Sequence, residues 1–348
     1  MTELAVCLQD SHVNIANAHA LEEHRGLFSP PLNVSVVEKE TVITALREQD
    51  LMATAGLALG DVIVAIDGEP VAERRARIAQ LIPSSTPQAL CRAVNGHLLR
   101  GPKDSAVRLC IRAADGQERD ATIGRTVPWR SVAFPPDRDT PAVYQVLPSG
   151  YGYIDLDRLA FTEVDKAMAA IQATPGAIFD IRGYPQGTGF FIAPRLAVGD
   201  QRIVGALFRR PYWRGDWIGN EDASAPEHLF AQPLASANAP RYAGKVVVLI
   251  NEQAQSQSEH ICMAFAAATD VTFVGSPTAG ANGDITNFML PGNLVITFTG
   301  HDVRHPDGRQ LQRIGIQPQV HVGPTIAGIR AGRDEVLEAA VSYLQARV

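Results

Sequence analysis

The sequence predicts a mixed α/β chain in which a small β-rich module precedes a larger domain built on a largely parallel sheet. Two observations carry this. Between residues 33 and 125 short alternating segments follow one another closely, whereas beyond about residue 150 short apolar runs alternate with amphipathic helical segments. A wholly apolar run is what a strand covered on both faces requires, and such strands belong to parallel sheets.

The elements follow in order. Residues 1–31 open in a helical-looking pattern (Leu4, Val6, Cys7, Leu8), pass through Asp10-Ser11-His12 and break at Pro30-Pro31. They read as a helical strip belonging to the larger domain. Residues 32–126 form the small module: NVSVVEKETVITAL alternates like a strand pair, GLALGDVIVAIDGEPV reads as turn, strand and turn, and ERRARIAQLI has helical spacing. AVRLCIRAADGQERDATIG then gives two strands around an Asp115-Gly116 hairpin. Residues 127–348 form the α/β domain, with strands at GYGYIDL, GAIFDIRG, KVVVLINE and VTFVG and helices at FTEVDKAMAAIQAT and SEHICMAFAAATD.

Composition excludes several functions. Thirty-one basic against 37 acidic residues give a net charge of −6 in 348 residues, no footprint for a polyanion, so nucleic acid is not an expected partner. No run approaches the ~18 apolar residues of a bilayer helix, so no membrane partner is expected. The N-terminus has no basic stretch followed by a long apolar one, so as written the chain is expected in the cytoplasm, with its compartment otherwise open. The four cysteines have no paired spacing and are expected to be free and mostly buried. His301, Asp302 and His305 lack a third ligand at suitable spacing, so neither a metal nor another cofactor is expected.

The chemistry concentrates at KVVVLINEQAQSQSEHICMAFAAAT. A buried strand there ends in a polar turn and a helix begins, so Ser256 lies where a hydroxyl is exposed beside a helix N-terminus. Ser256-x-x-Glu259 also has the spacing of a capping box, and on this stretch alone both readings stand.

Five motifs in order separate them: Gly152-Tyr153-Ile154; Asp180-Ile181-Arg182-Gly183-Tyr184-Pro185-Gln186-Gly187; Ser256-Gln257-Ser258-Glu259; Gly275-Ser276-Pro277-Thr278-Ala279-Gly280; and Pro306-Asp307-Gly308 with Gly315-Ile316-Gln317-Pro318. In this the chain from Tyr151 onward resembles the tail-specific (C-terminal-processing) serine peptidases and the related tricorn core. The resemblance implies a crotonase-like α/β fold, with Ser256 as nucleophile. Residues 33–125 resemble a PDZ domain through Ala55-Gly56-Leu57, Gly60-Asp61-Val62-Ile63 and Ile66-Asp67-Gly68, a module that takes extended peptides onto a sheet edge or merely props its neighbour.

The same resemblance assigns further roles. The family's lysine base falls on Ala281, so the tricorn-like pattern is implied instead: His12 as general base, Ser11 and Gln312 in the relay behind it. Gln312 stands where that pattern has a glutamate. Backbone amides of Gln186 or Gly187 and of Gln257 form the implied oxyanion hole, while Pro185 has no N–H to give. Apart from the resemblance, the aromatic and arginine-rich stretch FRRPYWRGDW reads as a long insertion that either sets Arg209, Arg210, Trp213 and Arg214 at the substrate entrance, where an arginine could meet a carboxylate, or is simply an anchored loop.

The expected function is hydrolysis of peptide bonds through an acyl-enzyme on Ser256. An esterase on the same site is the alternative, and a non-catalytic binder of peptides or apolar ligands is the alternative of another class. The expected partner is a peptide or ester substrate, with a homo-oligomer possible. An imidazole base predicts activity rising with pH around 6.5.

Overall fold

The computed structural model describes residues 2–133, 142–199, 202–209 and 227–347. The N-terminal strip folds as α1 (Thr2–Val6), β1 (Asn14–Ala16), α2 (His19–Arg25) and β2 (Phe28–Ser29). Its first helix is shorter than the sequence predicts. Leu4 and Leu8 are exposed and only Ala5 of α1 is buried, so the apolar stripe has nothing to pack on.

The small module comprises β3 (Leu32–Val37), β4 (Glu40–Leu46), α3 (Gln49–Thr54), β5 (Val62–Ile66), β6 (Glu69–Pro70), α4 (Val71–Ala79), α5 (Pro87–Asn95), β7 (Ala106–Arg112) and β8 (Glu118–Gly124). Its sheet runs β3-β4-β5-β7-β8, with β6 on β5. The β3–β4 turn places Glu38 and Lys39 at φ 52° and 69°, the left-handed pair that a two-residue hairpin needs. Leu32, Ile43, Ile63, Leu109 and Ile111 give the module a core of its own. Helix α5 is an element that the strand and helix patterns passed over. It starts on Thr86, whose hydroxyl accepts the Ala89 N–H, with Pro87 in its first turn.

Beyond the module come β9 (Val127–Pro128) and α6 (Trp129–Ala133), and β9 pairs with β2, so the chain enters and leaves the module at one clamp. The larger domain then follows as β10 (Tyr144–Val146), β11 (Gly152–Asp155), α7 (Val164–Ile171), β12 (Gly176–Asp180), α8 (Gly189–Leu196), β13 (Ile203–Arg209) and β14 (Glu227–Pro233). Next are β15 (Lys245–Ile250), α9 (Gln257–Ala268), β16 (Val271–Gly275), β17 (Ile285–Leu290), β18 (Leu294–Thr299) and β19 (Asp302–Arg304). The chain closes with β20 (Val320–His321), α10 (Ile326–Arg330) and α11 (Glu335–Gln345).

The main sheet has the order β10-β11-β12-β15-β16-β20, parallel throughout except for β10. Every residue of β12 is buried, as the apolar run requires, because helices cover both faces. Ile171, Ile192, Ile261 and Phe265 of α7, α8 and α9 pack on Phe179 and Val248; Val336, Ala340 and Leu344 of α11 pack on Ile178, Val247 and Leu249. Two small antiparallel sheets flank it, β1-β18-β17 and β14-β13-β19. The thiols correct one expectation: Cys262 alone is buried, Cys91 and Cys110 are half-buried and Cys7 is exposed. Among the described residues no helix is long and apolar enough to cross a membrane.

Candidate active site

Strand β15 delivers the chain to the head of α9, and the residue at the handover is Ser256. It is not glycine, yet it sits at φ 56°, in the left-handed region that a side chain resists. Such strain persists only where the surroundings over-determine it. Here they do so through hydrogen bonds: the Ser256 N–H reaches Ala281 O at 2.8 Å and Glu259 Oε2 at 3.3 Å.

Glu259 organises this half of the site. Wholly buried, it accepts from Thr278 Oγ1 (2.5 Å), Gly280 N (2.7 Å) and Ala281 N (2.9 Å) as well as from Ser256. Burial pushes its carboxyl above the ordinary range, and the hydrogen bonds pull against that shift. The glutamate therefore caps the helix and also pins the loop that follows β16. Thr278 Oγ1 accepts the Ile316 N–H at 2.7 Å, which draws in the C-terminal motif. The glycines are explained by the same packing: at Gly315, φ 78°, a side chain would start 2.7 Å from Thr278 O.

Ser258, the second serine of the motif, is buried and donates to Gly183 O at 2.9 Å. That bond holds the head of α9 against the loop after β12. Arg182 in the same loop lies between Asp180 and Asp334, bonding both carboxylates at 2.6–3.0 Å. Burial would lower the guanidinium's pKa, but the two aspartates outweigh it and raise the value well above normal. This ion cluster fixes the loop. Gly187, φ 81°, turns the loop so that a side chain there would point at Gln257 Nε2, 3.9 Å away. The N–H groups of Gln186, Gly187 and Gln257 donate to no protein group among the described residues.

The candidate base, His12, lies in the N-terminal strip. Asp10–Val13 is a turn, Val13 N–H to Asp10 O at 3.1 Å, in which Asp10 Oδ1 also accepts the His12 N–H at 3.0 Å. Strand β1 then pairs with β18, Asn14 opposite Thr297, and continuing that register outward brings His12 level with Thr299. His12 Nδ1 lies 2.7 Å from Thr299 Oγ1, and Thr299 Oγ1 lies 2.7 Å from Asp10 Oδ1. His12 Nε2 is buried with no hydrogen-bond partner. Burial lowers the imidazole pKa below 6.5, with Arg92 acting in the same direction and Asp10 against it.

Gln312 stands between the two halves. Its Oε1 accepts the Asn282 N–H at 3.0 Å, one residue beyond the carbonyl that holds Ser256, and its Nε2 lies 3.4 Å from both Asp10 Oδ1 and Thr299 Oγ1. Ser11 is placed otherwise than the resemblance implies. It exchanges hydrogen bonds with Ser85 at 2.9 Å in both directions and approaches Ser84 Oγ at 3.3 Å. As neighbours on a turn, Ser11 and His12 face different surroundings, and Ser11 ties the strip to the small module instead of backing the imidazole. His260, on α9, has both ring nitrogens engaged, by Gln232 at 2.7 Å and Asn282 at 3.3 Å.

Three contributors escaped the sequence patterns. Asp10 and Thr299 carry no motif, and Arg92 lies on the overlooked α5. Its guanidinium bonds Glu252 O (3.1 Å), Gln253 O (3.3 Å) and Gln255 Oε1, all in the turn before Ser256. Thr86 and Gln88, at the start of α5, donate to Ala279 O and Thr278 O at 2.8 Å. Arg210, Trp213 and Arg214 lie outside the described residues, and Arg209 is described only as the last residue of β13. Among the described residues no three histidine, cysteine or acidic side chains gather as a metal site.

A strained serine between a buried parallel strand and a helix, under a loop with unpaired amides, defines the site of a serine hydrolase. Residues 150–322 match the model of Peptidase family S41 and are a domain of that family, the tail-specific serine-type peptidases. The fold as a whole is similar to that of mature CPAF, with a TM-score of 0.71 at 14% identity over 98% of this chain and 85% of that one. It is also similar to an S41 protease from Bacteroides fragilis NCTC 9343 (TM-score 0.53, 15% identity, 98% and 88% covered). The photosystem II D1 C-terminal processing protease aligns at a TM-score of 0.50 and 19% identity, over 96% of this chain and 86% of its own. A comparison with curated protein sequences finds no match.

Proposed function

We propose that the S41 domain hydrolyses peptide bonds with Ser256 as nucleophile and His12 as general base. The observation that carries the assignment is the φ of 56° at Ser256, held by its bonds to Ala281 and Glu259 while the adjoining Gln257 amide stays unpaired. The Ser256 Oγ proton passes to His12 Nε2 as the Oγ–C bond forms, and the carbonyl oxygen takes its negative charge onto the amides of Gln257 and of Gln186 or Gly187. The imidazolium then returns the proton to the leaving amine, and water repeats the sequence on the acyl-enzyme.

Three units support this chemistry: the strip 1–31, which carries His12; the PDZ-like module 32–126; and the catalytic domain 127–348. The module braces the turn before the nucleophile through Arg92, Thr86 and Gln88. Its strand β3 lies at one edge of the module's sheet, where an extended peptide would add as a further strand. The test is a panel of unstructured peptides and activated esters with wild type and Ser256→Ala. Cleavage of peptides by wild type alone supports the assignment, ester turnover without peptide cleavage restricts the site to easier leaving groups, and cleavage by Ser256→Ala refutes it.

A further inference from the structure

We infer that Asp10, acting through the Thr299 hydroxyl, is the positioning carboxylate of His12, a role that rests on the assignment of His12 as base. Gln312 has no charge to offer an imidazolium. The chain of donors leaves one arrangement. Asp10 Oδ1 can only accept, so the Thr299 hydroxyl, 2.7 Å away, donates to it. The same oxygen must then accept from His12 Nδ1 at 2.7 Å, which puts the ring proton on Nδ1 and the lone pair on Nε2. That is the nitrogen left buried and unpartnered. A general base needs this tautomer, and one hydrogen-bonded partner on the far nitrogen is how a protein selects it.

Asp10 is itself held rigidly, Oδ2 accepting the Thr299 N–H at 2.7 Å and Oδ1 the His12 N–H at 3.0 Å. Its carboxylate, 3.9 Å from Nδ1, is the negative charge nearest the ring. The opposing charge is Arg92, reaching in from α5. When Nε2 takes the Ser256 proton, the Nδ1–H remains on Thr299, the Thr299 O–H remains on Asp10, and the new positive charge is stabilised across one hydroxyl. No proton moves onto Asp10.

The experiment measures phosphonylation of Ser256 by a fluorophosphonate as a function of pH and reagent concentration, in wild type and variants. Thr299→Val preserves shape and removes the hydroxyl; it is expected to lower the maximal labelling rate by about 10²-fold with the reagent's apparent affinity unchanged. Thr299→Ser is expected to restore most of that rate. Asp10→Asn is expected to lower the rate and to move its rising limb to lower pH, since Asp10 favours the protonated ring. Thr299→Val labelling at the wild-type rate, failure of Thr299→Ser to restore it, or an unmoved pH midpoint in Asp10→Asn with the rate alone reduced would each overturn the relay. Absence of labelling in wild type would instead count against Ser256 and His12 as the reacting pair.

Discussion

The two halves of the site are built on opposite principles. The nucleophile's half is local: Ser256, Ser258, Glu259 and Thr278 lie within twenty-three residues of one another, and one buried carboxylate ties helix to loop. The base's half spans the chain, since His12 meets Thr299 across a sequence separation of 287 and Asp10 meets Gln312 across 302. The four hydrogen bonds onto Glu259 brace the first half, whereas the second keeps one buried imidazole nitrogen unpaired. Stiffness holds Ser256 in a strained conformation, and the unpaired nitrogen is where the proposed base would take up a proton.

The sharpest way to break this comparison is His12→Ala. It is expected to lower the peptide cleavage rate by about 10³–10⁴-fold with melting temperature nearly unchanged. A small rate loss would mean that another group is the base. Glu259→Gln should do the reverse, acting first on stability. It exchanges an acceptor of four donors for an amide that cannot accept them all, and a loss of about 2–4 kcal/mol in denaturant unfolding is expected. Unchanged stability would show that the loop holds itself.

Ser258→Ala should cost about 1 kcal/mol through the lost bond to Gly183 O and leave the labelling rate within about threefold. A loss matching that of Ser256→Ala would reverse the two serines' roles. A pH slope is expected away from the site. Burial, aided by Arg100 and Arg25, holds His97 neutral with its pKa at about 3. The unfolded chain takes up that proton near 6.5, so the full contribution is present above 6.5 and is lost as pH falls toward 3. The expected slope is at most about 1.4 kcal/mol per pH unit, and His97→Gln should flatten it. Equal slopes in both proteins would contradict a neutral His97.

The difference between the halves also explains what could be read from the sequence. The parallel sheet was legible because every strand of the core, from Gly176–Asp180 to Val271–Gly275, is an apolar run bounded by turns. The turn at Ser256 and the cap from Glu259 were legible because S-x-x-E is a spacing. Helix α5 was not, since PQALCRAVNG mixes small and polar residues and its start depends on the Thr86 cap. Asp10 and Thr299 were illegible for a deeper reason: strand register joins them, and no pattern along the chain encodes which residue of β18 lies opposite the strip. Ser11 was misplaced because adjacency in sequence does not carry over to adjacency of side chains on a turn. The pKa of His12 moves likewise, from near 6.5 to below it, because burial is a property of the folded chain.

The central claim is that Ser256 attacks with His12 as its base, and intact-protein mass spectrometry after fluorophosphonate treatment tests it most directly. Expected are one adduct on wild type, mapped to Ser256 by peptide fragmentation, no adduct on Ser256→Ala, and an adduct forming at least about 10²-fold more slowly on His12→Ala. An adduct of equal extent on Ser256→Ala, or equal rates for wild type and His12→Ala, would contradict it.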